Sequence, residues 1–146
     1  MRILLAYDGS TFAEEAMTLL IESKGRDEAE VRVLDVVEPA LAAVPPHMAP
    51  GYAPELEETK KRAKQFVDGA VTRLRLAGYR AEGAVMQGEV RKTILEMANE
   101  WKADLILLGS RGYGHVKRFL LGSVAEYVAR HAQCSVEIAR AKRRNA

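Results

Sequence analysis

The amino-acid sequence predicts an α/β fold, a doubly wound parallel sheet of five strands with four helices on its faces. Two patterns carry this expectation. Short apolar runs alternate with segments whose apolar residues recur every three to four positions, giving the order β-α-β-α-β-α-β-α-β, and parallel strands so ordered need right-handed helical crossovers. The run Leu105-Ile106-Leu107-Leu108 has no polar interruption, which suits a strand covered on both faces and not one with a wet side.

Each element follows from its residues. Ile3 to Tyr7 is an apolar run closed by Asp8-Gly9-Ser10. Ala13, Ala16, Met17 and Leu20 then share a helical face, and Thr11 followed by Glu14 has capping-box spacing, so the first helix starts near Ser10 or Thr11 and runs to about Ser23. Val31 to Val37 forms the second strand, ended by Glu38-Pro39. Residues 40–54 contain Pro45, Pro46, Pro50, Pro54 and Gly51, a composition that excludes a regular helix or a central strand. A loop of that length in a compact domain points to mobility, function or both. Glu55 opens a charged helix that buries Ala63, Val67, Ala70, Val71 and Leu74 and stops at Gly78. Arg80 to Met86 is the third strand, Gly88 punctuates it, and Val90, Ile94, Met97, Ala98 and Trp101 line one face of a third helix. Asp104 to Leu108, a helix reaching about Ala132 and a strand from Ser135 to Ala139 complete the order. No internal repeat is visible, and 146 residues are expected to make one domain, 1–146, with a basic tail over 140–146.

Composition narrows the function classes. With 48% hydrophobic and 29% charged residues the chain reads as globular and soluble, not disordered. A formal charge of +2 argues against a dedicated nucleic-acid binder, and Arg140, Lys142, Arg143 and Arg144 read as a solvated end. Cys134 is the single cysteine, so neither an intrachain disulfide nor a cysteine-based zinc site is available. Met1 leads straight into the first strand without a leader, and no apolar stretch reaches membrane-spanning length, so the expected location is cytoplasmic, away from membranes.

The stretch from Asp104 to Val124 organises the rest: a buried strand, a glycine-punctuated loop and the start of a helix. Two residues separate Gly109 from Gly112, and nine more separate Gly112 from Gly122, which Ser123 follows at once. Glycine lets backbone N–H groups approach an anion without an intervening Cβ. Val124, Tyr127, Val128 and His131 then repeat at helical spacing, so Gly122, Ser123 and Val124 are expected to offer free N–H groups at a helix N-terminus, a setting that favours phosphate. The other reading makes Gly109 and Gly112 a turn and Ser123 only an N-cap. Arg111, His115, Lys117 and Arg118 lie between the glycines; cations there neutralise phosphate, or serve as the ordinary dressing of a polar loop.

The G-x2-G-x9-G-[ST] spacing of Gly109, Gly112, Gly122 and Ser123 resembles the nucleotide signature of the universal stress protein family, in its ATP-binding branch. The likeness extends from Met1 to about Arg140. It implies a Rossmann-like, adenine-nucleotide-binding fold with strand order 3-2-1-4-5, whose reversal between strands one and four is where ligands sit. It carries nucleotide contacts onto Ala6, Asp8 and Val36, with Val36 beside the adenine, and assigns Leu108, Gly109, Gly112, Gly122, Ser123 and Val124 to ribose and phosphates. Mg2+ would accompany the phosphates. It also implies a homodimer formed by antiparallel pairing of the last strand. Here the sequence departs from the pattern, with Ser135 where proline is usual and Glu137 where an apolar residue is usual. Two Glu137 carboxylates near a dyad repel unless each finds a cation. Tyr7 is bulkier than the family's usual residue and is expected to narrow the adenine side.

Other signatures fail. Gly78 to Gly83 has P-loop glycine spacing, but Ala84-Val85 replaces Lys-[Ser/Thr], and no G-x-G-x-x-G follows the first strand. His47, His115 and His131 are scattered, with His131 on the expected buried face of the last helix, and no G-x-S-x-G elbow is present. Cys134 reads as a small core residue and Asp35 as a satisfied polar group in mid-strand, so no catalytic residue is assigned. Asp8 either caps the first helix or accepts hydrogen bonds from a sugar or base. The resulting expectation is an ATP-binding stress protein acting as a nucleotide-gated sensor or adaptor. The alternatives are a slow ATPase or phosphotransferase using the same loop, and a nucleotide-free interaction module.

Overall fold

A computed structural model describes residues 1–23, 26, 28–39, 53–111 and 121–140. The elements are β1 (Arg2–Ala6), α1 (Thr11–Glu22), β2 (Glu30–Val37), α2 (Ala53–Leu76), β3 (Arg80–Gln87), α3 (Val90–Trp101), β4 (Leu105–Gly109), α4 (Ser123–His131) and β5 (Ser135–Ala139). All strand pairs are parallel and the order is β3-β2-β1-β4-β5, as the sequence and its resemblance led us to expect.

Alternation along the strands divides the core in two. Ile3, Leu5, Val31, Val33, Leu105 and Leu107 meet Ala16, Met17 and Leu20 of α1 and Val67, Ala70, Val71 and Leu74 of α2. On the other face Leu4, Leu34, Ile106 and Leu108 meet Ile94 and Ala98 of α3 and Ala125 and Val128 of α4. β1 and β4 are buried from both sides, the physical reason their sequences lack polar alternation.

Local details differ from expectation at three places. The N-cap of α1 is Ser10, whose hydroxyl accepts the Ala13 N–H at 3.2 Å; Thr11 lies inside the helix, and Glu14 turns instead to the Tyr7 hydroxyl and to Arg73. α2 begins at Ala53, with Pro54 in its first turn, where a missing N–H costs nothing, so the irregular stretch is shorter than 40–54; residues 40–52, like 141–146, lie outside the described residues. His131 is exposed rather than buried, its ring 4.3 Å from that of Tyr127.

Candidate functional site

A cavity of about 750 Å³ opens at the carboxyl ends of β1, β2 and β4, the point where the strand order reverses. Ala6, Leu34, Val36 and Leu108 line it together with Val90 and Ile94 of α3 and Val124 and Ala125 of α4. Thr59, Arg62, Ala63 and Phe66 of α2 close it from the opposite layer, so the space reaches both sides of the sheet.

Unequal strand lengths create the opening. β1 ends at Ala6, opposite Leu34, and the Tyr7 N–H donates to the Leu34 carbonyl at 2.8 Å. β2 runs three residues further against β3 alone, pairing Asp35 with Val85, Val36 with Met86 and Val37 with Gln87. Backbone polar groups alternate sides along a strand. The N–H and C=O of Val36 therefore face the side where β1 has ended.

Acidic groups gather at this edge. The Asp8 carboxylate accepts the Ser10 N–H at 2.9 Å, tightening the turn into α1, while Ser10 performs the capping. Asp35 is 8% exposed and lies in the cavity wall. Burial pushes its carboxyl up to about 7, the charge of Asp8 adds to the rise, and the Val36 N–H draws it back. It is thus a cavity-lining group as well as the polar mid-strand residue expected. Glu38 accepts the Val90 N–H at 2.9 Å and helps Glu89 cap α3.

The glycine signature has a structural component at its described positions. A Cβ on Gly109 would lie 2.5 Å from the Phe12 carbonyl oxygen, and one on Gly122 would lie 3.0 Å from that of Ser110. Backbone approaches backbone at both places: a side chain at Gly109 would force the Phe12 backbone to move, and one at Gly122 would be tight, so packing favours glycine whether or not a ligand is present. The Gly122 N–H is not free as expected: it donates to the Ser110 carbonyl at 2.7 Å and ties α4 to the end of β4. Gly122 is also the N-cap and brings no side chain to the helix end. Ser123, exposed, is the first helical residue rather than the cap. The N–H groups of Ser123 and Val124, two residues that line the cavity, consequently lie at a helix N-terminus without a side-chain cap among the described residues, a setting that attracts an anion.

Of the residues singled out in the sequence, Ala6, Asp8, Val36, Leu108, Gly109, Gly122, Ser123 and Val124 all line this cavity, as does Arg111, whose guanidinium lies 5.6 Å from the Phe12 ring. Gly112, His115, Lys117 and Arg118 lie outside the described residues. Sequence reasoning missed Asp35, Glu38 and the α2 wall. A signal for that wall existed: Thr59, Arg62, Ala63 and Phe66 have i, i+3, i+4, i+7 spacing, a helical face that turns polar toward its N-terminal end. Among the described residues, no group of three or more His, Cys, Asp or Glu side chains is placed to hold a metal ion, and no helix is long and apolar enough to cross a membrane.

Comparison with known proteins supplies the family. A universal stress protein of Synechocystis is 32% identical over 147 aligned positions, covering 94% of this chain and 96% of that one. Among solved structures, the universal stress protein UspA from Lactobacillus plantarum matches with a TM-score of 0.86 and 27% identity over 96% of this chain and 97% of that one. The universal stress protein from Archaeoglobus fulgidus in complex with dAMP shares the fold at a TM-score of 0.67 and 24% identity, over 96% of this chain and 98% of that one. The sequence model of the universal stress protein family matches residues 1–140, and with the parallel 3-2-1-4-5 sheet this leads to one conclusion: the chain belongs to the universal stress protein family.

Proposed function

We propose that this chain binds an adenine nucleotide, with ATP and its Mg2+ as the working form, and acts as a nucleotide-gated sensor or adaptor. The observation that carries the reading is the convergence, on one cavity, of Ala6, Asp8, Val36, Leu108, Gly109, Gly122, Ser123 and Val124 from four separate strand ends and helix starts. Their chemistry is graded along the cavity. Asp8 and the open backbone edge of Val36 suit a ribose and the hydrogen-bonding edge of a base. The uncapped start of α4 and Arg111 suit phosphates, and Mg2+ would be held chiefly by phosphate oxygens. The dAMP complex of the Archaeoglobus protein supports adenylate binding by analogy of fold. Association through β5, whose outer edge has no strand partner among the described residues, would let occupancy be communicated between copies.

The test is calorimetric titration of ATP with Mg2+ into the wild-type protein, freed of co-purified nucleotide, and into Ser123→Glu. A carboxylate at the first helical position favours the helix itself, so the variant should remain folded and keep its melting temperature. Its affinity should fall at least tenfold, because an acid would occupy the phosphate end. Equal affinity in the two proteins would place the phosphates elsewhere.

A further inference from the structure

We propose that Asp35, buried in the cavity wall beside the open backbone edge of Val36, is a specificity-determining residue that reads the nucleobase as a neutral carboxylic acid. Adenine is then accepted only while Asp35 keeps its proton, whereas guanine is accepted with or without it. The inference rests on the nucleotide reading above and goes beyond it by naming a residue and a chemistry outside the family's signature positions.

The geometry comes first. Asp35 is 8% exposed and in the cavity wall, in the part of β2 that extends past β1. The adjoining Val36 turns its N–H and C=O toward the side that β1 leaves open, backbone groups of the kind that hydrogen-bond a base edge. Among the described residues, the charged groups around the cavity are Asp8 after β1, Glu38 after β2, Arg62 on α2 and Arg111 after β4. Glu38 is engaged by the Val90 N–H, Arg111 lies over Phe12, and Arg62 is exposed at the rim. The charge that acts on Asp35 is that of another carboxylate, Asp8. Burial and that like charge both favour the protonated form, which places the titration at about 7.

Hydrogen-bond inventory supplies the specificity. A neutral carboxylic acid offers one O–H donor beside one acceptor, whereas a carboxylate only accepts. Adenine presents its N6 amine beside a ring-nitrogen acceptor, so it matches the neutral acid and opposes a lone pair to the anion. Guanine presents O6, N1–H and its N2 amine in a row: the neutral acid can pair with the first two, the anion with the last two. Losing the proton therefore weakens adenine binding selectively, because a buried acceptor is left facing an acceptor.

The experiment measures ATP and GTP dissociation constants, with Mg2+, between about pH 6 and about pH 8 for the wild type and for Asp35→Asn, with circular dichroism as the control for folding. The triphosphate titrates alike in both ligands, so the ratio of the two constants isolates the base. A group titrating near 7 should lower the wild-type preference for ATP over GTP about tenfold across this range. The amide of Asp35→Asn keeps one donor and one acceptor at every pH, so its ratio should stay flat and its ATP affinity should hold at the alkaline end. A wild-type ratio that does not move, or a variant that follows the wild type, would overturn the role of Asp35 while leaving nucleotide binding intact. If neither nucleotide binds the folded protein at any pH, the nucleotide reading fails and this proposal fails with it.

Discussion

Asp35 shows how a single residue can be visible in a sequence while its setting is not. An acid between Leu34 and Val36 announces a buried polar group, and such groups normally find partners. Here the strand that would shield it has ended, and the carboxyl faces a cavity it shares with Asp8. The consequence for stability has a definite sign. Its titration in the folded chain, at about 7, lies above its ordinary value of 3.8, so between these values the folded state holds the proton more tightly than the unfolded chain. The stabilisation from this group is complete below the ordinary value, declines as pH rises toward 7 and is lost above it. Asp35→Asn removes that slope. We expect the melting temperature of the variant, relative to wild type, to gain more at about pH 8 than at about pH 5 in parallel thermal scans of the nucleotide-free proteins. The same offset at both pH values would mean that Asp35 is ionised throughout.

At the scale of elements, the helix ends matter more than the helix bodies. The bodies follow from apolar spacing, and the buried face Ala63, Val67, Ala70, Val71 and Leu74 of α2 is found as the sequence predicts. The ends depend on competition between neighbours that spacing cannot rank. Thr11 and Glu14 have capping-box spacing, yet Ser10, buried at 3% exposure, supplies the cap and Glu14 is drawn away by Arg73 at 2.7 Å. Ser10→Ala should therefore destabilise the protein by about 1 kcal/mol in chemical denaturation, whereas Thr11→Ala should fall within about 0.5 kcal/mol of wild type. A larger loss at Thr11 would restore the capping box. α4 is the opposite case. Its start has only Gly122, tied to Ser110 at 2.7 Å, and the uncapped turn is the feature that suits an anion.

At the scale of the whole molecule, the carboxylate of Glu137 is already neutralised inside the chain. Arg26, after α1, reaches it at 2.9 Å, and both side chains are partly buried. The repulsion expected between two copies of Glu137 near a dyad is thereby reduced, and the open edge of β5 stays available for pairing. On its other side, facing β4, the Ala139 carbonyl accepts the Ser110 N–H, so alternation turns the N–H groups of Val136 and Ile138 away from β4. Val136→Pro removes an outward N–H and no ladder bond within the chain. Analytical ultracentrifugation should then find the wild type as a dimer and this variant as a folded monomer; a variant that remains dimeric would move the interface off β5.

Element order, strand assignment, the two apolar layers and the family signature were legible in the chain because each is written in local spacing: period two or near four, glycine at an element end, an unbroken apolar run in a strand covered on both sides. The convergence of distant residues was not. That β1 stops two residues short of Val36, that Thr59, Arg62 and Phe66 on α2 overhang the same space as Ser123 on α4, and that Asp35 faces it are consequences of how unequal strands and crossing helices meet. Likewise Gly109 and Gly122 were readable as glycines with a ligand to serve, and only the approach of Phe12 and Ser110 to them revealed a packing requirement as well. Side-chain periodicity is a property of neighbours along the chain, whereas a cavity exists where distant elements fail to fill the space between them, and that is settled by tertiary packing alone.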